Sequence, residues 1–304
     1  MILGTSHTTL SGEYRIVVKQ NDTIKHDTGW FKNLILNSGL NRIGTANSGD
    51  TPRLIAYCKL GTGTSTPNVN QTALDNQIAV KGFFSNSGSG NQGATTYAGR
   101  IQYLYKFDYG EVVGTISEVG VGWDLGVGNL FSRTLVQPAP ITITANEFLE
   151  VYYRLDFIPI LTDTSGTANI AGTNYNFTIR RTGVNNYAPI ENTNYLSGRS
   201  SILAAYSGFS LVPITNEVTA IPLGYSSEYS TAAYINDSYY LDTTLTIYGS
   251  TMNNINGFVY WMGIRSLNAP QYYLGAYQIR LNTPLTKLFY QTLSLTIRNS
   301  WARA

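Results

Sequence analysis

The sequence predicts a mainly β protein, two β-sandwich-like domains with one short helix in the first. Three observations carry this reading. Short runs of β-branched and aromatic residues recur along the chain, separated at short intervals by glycine, proline, asparagine and serine. Many short strands punctuated in this way argue for a sandwich or barrel and against βαβ units. The composition suits sheets as well: 86 residues are Thr, Asn or Ser and 23 are Tyr, with Thr and Tyr both favoured in strands. One segment, finally, breaks the pattern with helical spacing.

The first domain is placed at residues 1–184. Strands are expected at Tyr14–Lys19, Leu54–Leu60, Arg100–Asp108, Val112–Val121, Leu130–Leu135, Ile141–Thr144 and Phe148–Phe157, with Tyr175–Arg180 as the last. The helix is expected near residues 29–40. There Trp30 and Leu34, then Leu40 and Ile43, fall near a 3.6-residue period, and Ser38-Gly39 supplies a stop. Asn70–Asn76 suits one further helical turn. Ser85–Gly93 (SNSGSGNQG) has little to bury and reads as a flexible hairpin tip or insertion. Within Gly120–Gly128, the Asp124–Gly126 step reads as a tight turn between two strands.

After Arg181 the texture changes. Asn185–Ser200 is polar, aromatic and irregular, and the second domain is placed at residues 185–304. Its strands are expected at Ala220–Leu223, Tyr239–Tyr248, Gly257–Ile264, Tyr277–Leu281 and Gln291–Trp301. Thr292–Arg298 alternates polar and apolar residues, which leaves one face for solvent or an interface.

Charge narrows the function classes. Only 12% of residues are charged, against about 25% in ordinary soluble domains. The 20 basic residues stand against 18 acidic ones, so no basic excess exists to neutralise a phosphate backbone, and no nucleic-acid partner is expected. Disorder is excluded, because it needs high net charge and few aromatics. One cysteine, Cys58, rules out an internal disulfide framework. With only His7 and His26 beside it, a structural zinc site lacks ligands, and no cofactor is expected. No apolar run approaches the length of about 18 residues that a membrane span needs. The N-terminal stretch has no basic region followed by a long apolar one, so no signal peptide is expected.

Catalytic readings find little footing. His7 and His26 have no carboxylate at a suggestive spacing, and the ordinary reading is a surface or loop histidine. Cys58 lies inside a strand-like run, where a free cysteine is usually a small core hydrophobe. Glu147 with Glu150, and Asp237 with Asp242, are the carboxylate pairs that a glycosidase would need about 5–9.5 Å apart in a cleft. Their ordinary reading is solvated or turn carboxylates. Gly120, Gly122, Gly126 and Gly128 miss the GxGxxG pattern, since Leu125 stands where the third glycine belongs, and Gly61–Thr66 lacks the GK[ST] ending of a P-loop. No catalytic residue and no metal ligand is therefore assigned, and the chain is expected not to be an enzyme. Tyrosine remains: Tyr239-Tyr240, Tyr260-Trp261 and Tyr272-Tyr273. Such clusters serve sheet packing, subunit interfaces or stacking on sugars. Tyr239, Tyr240, Tyr272 and Tyr273 are the candidate interface residues.

Two stretches taken together, GWFKNLILNSGLNRIG (Gly29–Gly44) and CKLGTGTSTPNVNQTAL (Cys58–Leu74), resemble the opening of a family of tailed-bacteriophage virion proteins described as tail, tail-fibre or structural proteins. ISEVGVG (Ile116–Gly122), LFSRTL (Leu130–Leu135), EFLEVYYRL (Glu147–Leu155) and the final Tyr277–Arg303 continue the likeness. The resemblance implies a structural virion component, tail-associated as a fibre, fibre-attachment or baseplate protein, assembled in the host cytoplasm. Its partners would be other virion proteins and copies of itself, with a host surface glycan as a further one. The alternatives are a head decoration or head-fibre protein, and a glycan-binding adhesin.

Overall fold

A computed structural model describes residues 2–45, 54–90, 99–182, 200–214, 218–219, 223–224, 226–262 and 275–304. The chain opens with a 19-residue strand, β1 (Ile2–Gln20). It turns back into β2 (Thr23–Asp27) and runs through β3 (Phe31–Lys32) and β4 (Leu34–Ile35) into the helix α1 (Asn37–Thr45). Then come β5 (Tyr57–Gly61), β6 (Gln77–Gly90), β7 (Gly99–Phe107), β8 (Gly114–Ile116), β9 (Glu118–Gly122), β10 (Leu130–Leu135), β11 (Ile141–Ile143), β12 (Phe148–Pro159), β13 (Thr164–Ile170) and β14 (Thr173–Thr182). β15 (Ser200–Ser207), β16 (Ser226–Thr231), β17 (Tyr240–Tyr248), β18 (Met252–Met262), β19 (Gly275–Lys287) and β20 (Leu293–Arg303) complete the described residues. The protein is mainly β with one helix, and no helix is long and apolar enough to cross a membrane among the described residues.

Thirteen strands form one sheet, in the order β16-β17-β20-β1-β12-β7-β6-β5-β9-β10-β4, with β2 and β3 also pairing to β1. It curls into a half-barrel. A second sheet of five strands runs β13-β14-β19-β18-β15, and β8 pairs with β11 in a small third. β1 is the organising strand. One of its edges pairs antiparallel with β12 over Thr8–Lys19. The other pairs in parallel with β20 over Ile2–Leu10, then with β3 and β2. Asn21 and Asp22 take φ of 46° and 61° in the two-residue β1–β2 turn, as hairpins of this length require.

Alternation along three neighbouring strands builds the first core. Tyr14, Ile16 and Val18 of β1, Val151, Tyr153 and Leu155 of β12, and Ile101, Tyr103 and Tyr105 of β7 point inward and are buried. Burying each such large side chain contributes about 1.5–3 kcal/mol. The intervening residues carry charge on the outer face, where Arg154 pairs with Glu13, Arg100 with Asp156, and Glu150 with Lys19 (2.9 Å) and Lys106 (3.6 Å). A second core lies between sheets: Leu245, Ile247, Leu295 and Ile297 of the large sheet meet Ile179, Phe258, Tyr277 and Ile279 of the five-stranded one. This is sandwich packing.

The 184/185 division itself lies outside the described residues. Strand pairing crosses it twice, where β1 pairs with β20 and β14 with β19. Both cores draw on both sides as well: Leu241 and Trp301 enter the first, and Leu3, Ala168 and Ile179 the second.

Three local expectations shift. The helix begins at Asn37, not near residue 29, because Leu34 and Ile35 pair with Arg133 and Ser132 of β10 while Phe31 and Lys32 pair with β1. Leu40 and Ile43 of the expected stripe do face the core. Ser38-Gly39 is the helix's first turn, not its stop. Ser38 Oγ donates to the Leu130 carbonyl (2.6 Å), and a Cβ at Gly39 would lie 2.4 Å from the Phe131 carbonyl oxygen, so glycine lets the helix touch β10. Asn70–Asn76 forms turns without helix. Ser85–Gly90 belongs to strand β6, paired with β7 up to Gly90 opposite Gly99, and residues 91–93 lie outside the described ones.

Candidate interaction site

Several of the groups considered for catalysis are engaged within the chain. His7 Nδ1 lies 2.8 Å from Ser300 Oγ, a pair that the sequence separates by 293 positions. Ser300 Oγ also donates to the Ser6 carbonyl (2.9 Å), so when both bonds form the imidazole is the donor to the hydroxyl. Burial lowers the His7 pKa. His26 is exposed on β2. Cys58 is fully buried, and burial pushes its thiol pKa up, away from the thiolate a nucleophile needs. Glu147 accepts from Thr144 N (2.8 Å) and Oγ1 (2.9 Å) across its own turn, whereas Glu150 sits between Lys19 and Lys106. Asp237 accepts from Asn41 Nδ2 (2.9 Å), and Asp242 is clasped by Arg298 (2.7 and 2.8 Å). No cluster of three metal-ligating side chains occurs among the described residues.

The candidate interface tyrosines divide. Tyr239 and Tyr240 are half-buried and make contacts within the chain. The Tyr239 hydroxyl donates to Asp237 (3.2 Å) and its carbonyl accepts from Trp301 N (2.9 Å), while the Arg298 guanidinium lies 3.7 Å from the Tyr240 ring centroid. Tyr272 and Tyr273 lie outside the described residues. Tyr260 is fully buried and stacks on Tyr277, with ring centroids 5.3 Å apart.

Two loop ends remain, both organised by buried charge. At the first, Lys59, Gly120 and Arg133 stand in register across β5, β9 and β10. Glu118, two residues before Gly120 on the same face, is fully buried. Its carboxylate accepts from Gly63 N (2.8 Å), Asn76 N (2.9 Å), Asp75 N (3.1 Å) and Arg133 Nε (2.9 Å). Arg133 reaches on to Gln71 and Asp75, both at 2.7 Å. The segment 62–76 is thereby pinned over the sheet. Lys59 Nζ donates to the Gly126 and Gly128 carbonyls and pins the β9–β10 loop. In that loop Asp124 accepts from Gly126 N (3.0 Å), the turn expected there.

The second end closes the sandwich. Lys287 is buried, and its ammonium donates to the Ser250 carbonyl of the β17–β18 turn (2.7 Å) and to the Leu288 carbonyl (3.3 Å). Gln291 N donates to the Leu288 carbonyl (3.0 Å), and Leu288 N donates back to Gln291 Oε1 (2.8 Å). The β19–β20 turn is therefore locked from both sides, with Phe289 and Tyr290 at its two central positions. Neither takes a positive φ, so the turn is one that any L residue can adopt. Their side chains are 67% and 80% exposed, and Leu288 is 37% exposed. Beside them runs an open groove of about 300 Å³ lined by Ile170, Tyr175, Leu285, Thr286, Gln291 and Leu293.

Turns normally hold Gly, Pro, Asn, Asp or Ser for backbone reasons. A Phe-Tyr pair held out to water breaks that local rule, and such breaks concentrate at functional sites. The sequence reading passed over these residues because they fall between two expected strands. The available signal was three consecutive apolar residues, LFY, between two expected strands. No family model matches the chain, and comparison with curated proteins and solved structures finds no match.

Proposed function

We propose that the chain is a structural component of a tailed-phage virion, tail-associated as a fibre, fibre-attachment or baseplate protein, and that it works by contact. The observation that carries the contact reading is the locked turn presenting Phe289 and Tyr290. Aromatic residues held rigid before binding lose little entropy on docking and are typical interface anchors. The virion assignment draws on the resemblance of residues 29–44 and 58–74 and on the charge-poor composition. The test is electron microscopy and mass spectrometry of purified particles. The chain should occupy a stoichiometric position in the tail with the turn buried against a neighbour, and particles carrying F289A/Y290A should lose it. Absence from purified particles overturns the virion reading, and a turn facing open solvent in the particle overturns the contact reading.

A second reading, a glycan-binding adhesin, draws on the same rim. Tyr175, Thr286 and Gln291 line the groove beside two exposed rings, and aromatic faces with nearby hydroxyls and amides suit a sugar. Binding of host surface polysaccharide that is abolished by Y175A favours this reading over the first.

A further inference from the structure

A projection and a groove lie side by side at the second loop end. The groove, of about 300 Å³, opens between the β13–β14 turn and the β19–β20 turn: Ile170 and Thr173 line one side, and Leu285, Gln291 and Leu293, which flank the projecting residues, line the other. Its floor is the margin of the second core, on which Ile170 and Tyr175 pack while only partly buried. The projection is Leu288, Phe289 and Tyr290, carried on a turn that Lys287 and Gln291 hold in place before any partner arrives. Neither ring lines the groove beside it, and both stay in water.

We propose that the turn of each copy seats in the groove of a second copy, so that Phe289 and Tyr290 of one chain cover Ile170, Tyr175 and Leu293 of the other, and the reverse. A two-fold axis requires a patch that complements itself. A projection beside a groove of like chemistry meets that requirement, because the rotation that carries one turn onto the partner's groove carries the partner's turn onto the first groove. The inference rests on the contact reading of this turn and names the neighbour.

Area selects the reciprocal arrangement. Two aromatic rings from each copy, at about 150–250 Å² each, together with the groove walls they cover, come to roughly 1,200 Å², the lower bound for a stable specific interface. A single turn seated one way buries about half of that, in the range of a packing contact. It also leaves the aliphatic floor of its own groove wet. A second copy satisfies both features at once, and the locked turn loses little entropy on seating.

The experiment is sedimentation of the purified full chain across micromolar concentrations, with F289A/Y290A, which removes the projection, T173W, which fills the groove, and their equimolar mixture. Phe289, Tyr290 and Thr173 are exposed, so both variants are expected to fold as the wild type does, checked by circular dichroism. The wild type should dimerise. Each variant alone should dimerise about tenfold or more weakly, since both seats are lost in its homodimer. The mixture should recover dimers of intermediate affinity, because the intact turn of T173W enters the open groove of F289A/Y290A. A wild type that stays monomeric overturns the proposal. So does a dimer that either variant leaves intact, or a mixture that recovers nothing. A monomer that binds host polysaccharide through the groove overturns it as well. A turn buried against a different protein in the particle overturns this inference but leaves the contact reading standing, whereas a turn open to solvent in both dimer and particle removes both.

Discussion

The two loop ends use the same device for opposite purposes. At the first, Glu118 and Arg133 are fully buried and hold segment 62–76 down on the sheet, with Leu74 tucked beneath it. At the second, Lys287 and Gln291 hold a four-residue turn just as firmly, yet two aromatic rings are turned to water. Where a clamp also buries apolar side chains, it completes a core. Where a clamp leaves them outside, it fixes a surface. The difference separates architecture from presentation more sharply than residue type does, since Tyr239 and Tyr240 are also aromatic but are spent on contacts within the chain.

Breaking the first clamp should have the largest effect. Glu118→Ala leaves three backbone N–H groups and a buried guanidinium without their carboxylate. Chemical denaturation should show a loss of about 3–5 kcal/mol. A loss under about 1 kcal/mol would mean that the loop relaxes freely and that the clamp is incidental. Lys287→Met probes the second clamp. It strips donors from the Ser250 and Leu288 carbonyls and should cost about 1–3 kcal/mol, with faster amide exchange at Gln291. A variant with wild-type stability and exchange would show that the turn is not locked by the ammonium.

The third test sharpens the contrast by moving an ionic clamp into solvent. The Arg15 guanidinium, hydrogen-bonding to Asp27 on the β1–β2 hairpin, holds the Asp27 pKa down at about 2, against an ordinary value of 3.8. A depressed carboxylate stabilises the fold above its unfolded pKa, and that contribution is lost as pH falls through the folded one. Wild type should therefore exceed D27N in melting temperature above about pH 4, with the gap closing towards pH 2. Solvent screening keeps the whole effect under about 1 kcal/mol. A gap that persists unchanged at pH 2 contradicts the assignment. The smallest effect on stability belongs to the rings themselves. F289A/Y290A should stay within about 0.5 kcal/mol of wild type, since neither ring packs on the core. A larger loss would make the turn part of the architecture.

Much of the strand content was legible in the sequence, because alternation and turn chemistry are local. Leu130–Leu135 was read with its observed bounds, and Phe148–Phe157 within two residues. The long N-terminal strand was legible only from Tyr14 onward. Its first half, Ile2–Glu13, is a Ser/Thr/Gly-rich stretch that becomes a strand by pairing with β20, nearly 300 residues away in sequence. The helix was displaced for the same reason: Leu34 and Ile35 satisfy helical spacing, yet β10 supplies partners that fix them as strand.

By itself, the sequence determined a mainly β chain with one helix, a cysteine destined for a core, turns at residues such as Asp124–Gly126, and a low and balanced charge content. Those properties follow from side-chain chemistry within a few residues. Only the tertiary structure decided which buried charges meet, that Glu118 and Arg133 close a loop and Lys287 another, and which contacts Tyr239 and Tyr240 make within the chain. These depend on pairings between distant strands. A strand's partner is chosen by register and burial across the whole sheet, so neither an edge nor an exposed turn can be recognised before every other strand has been placed.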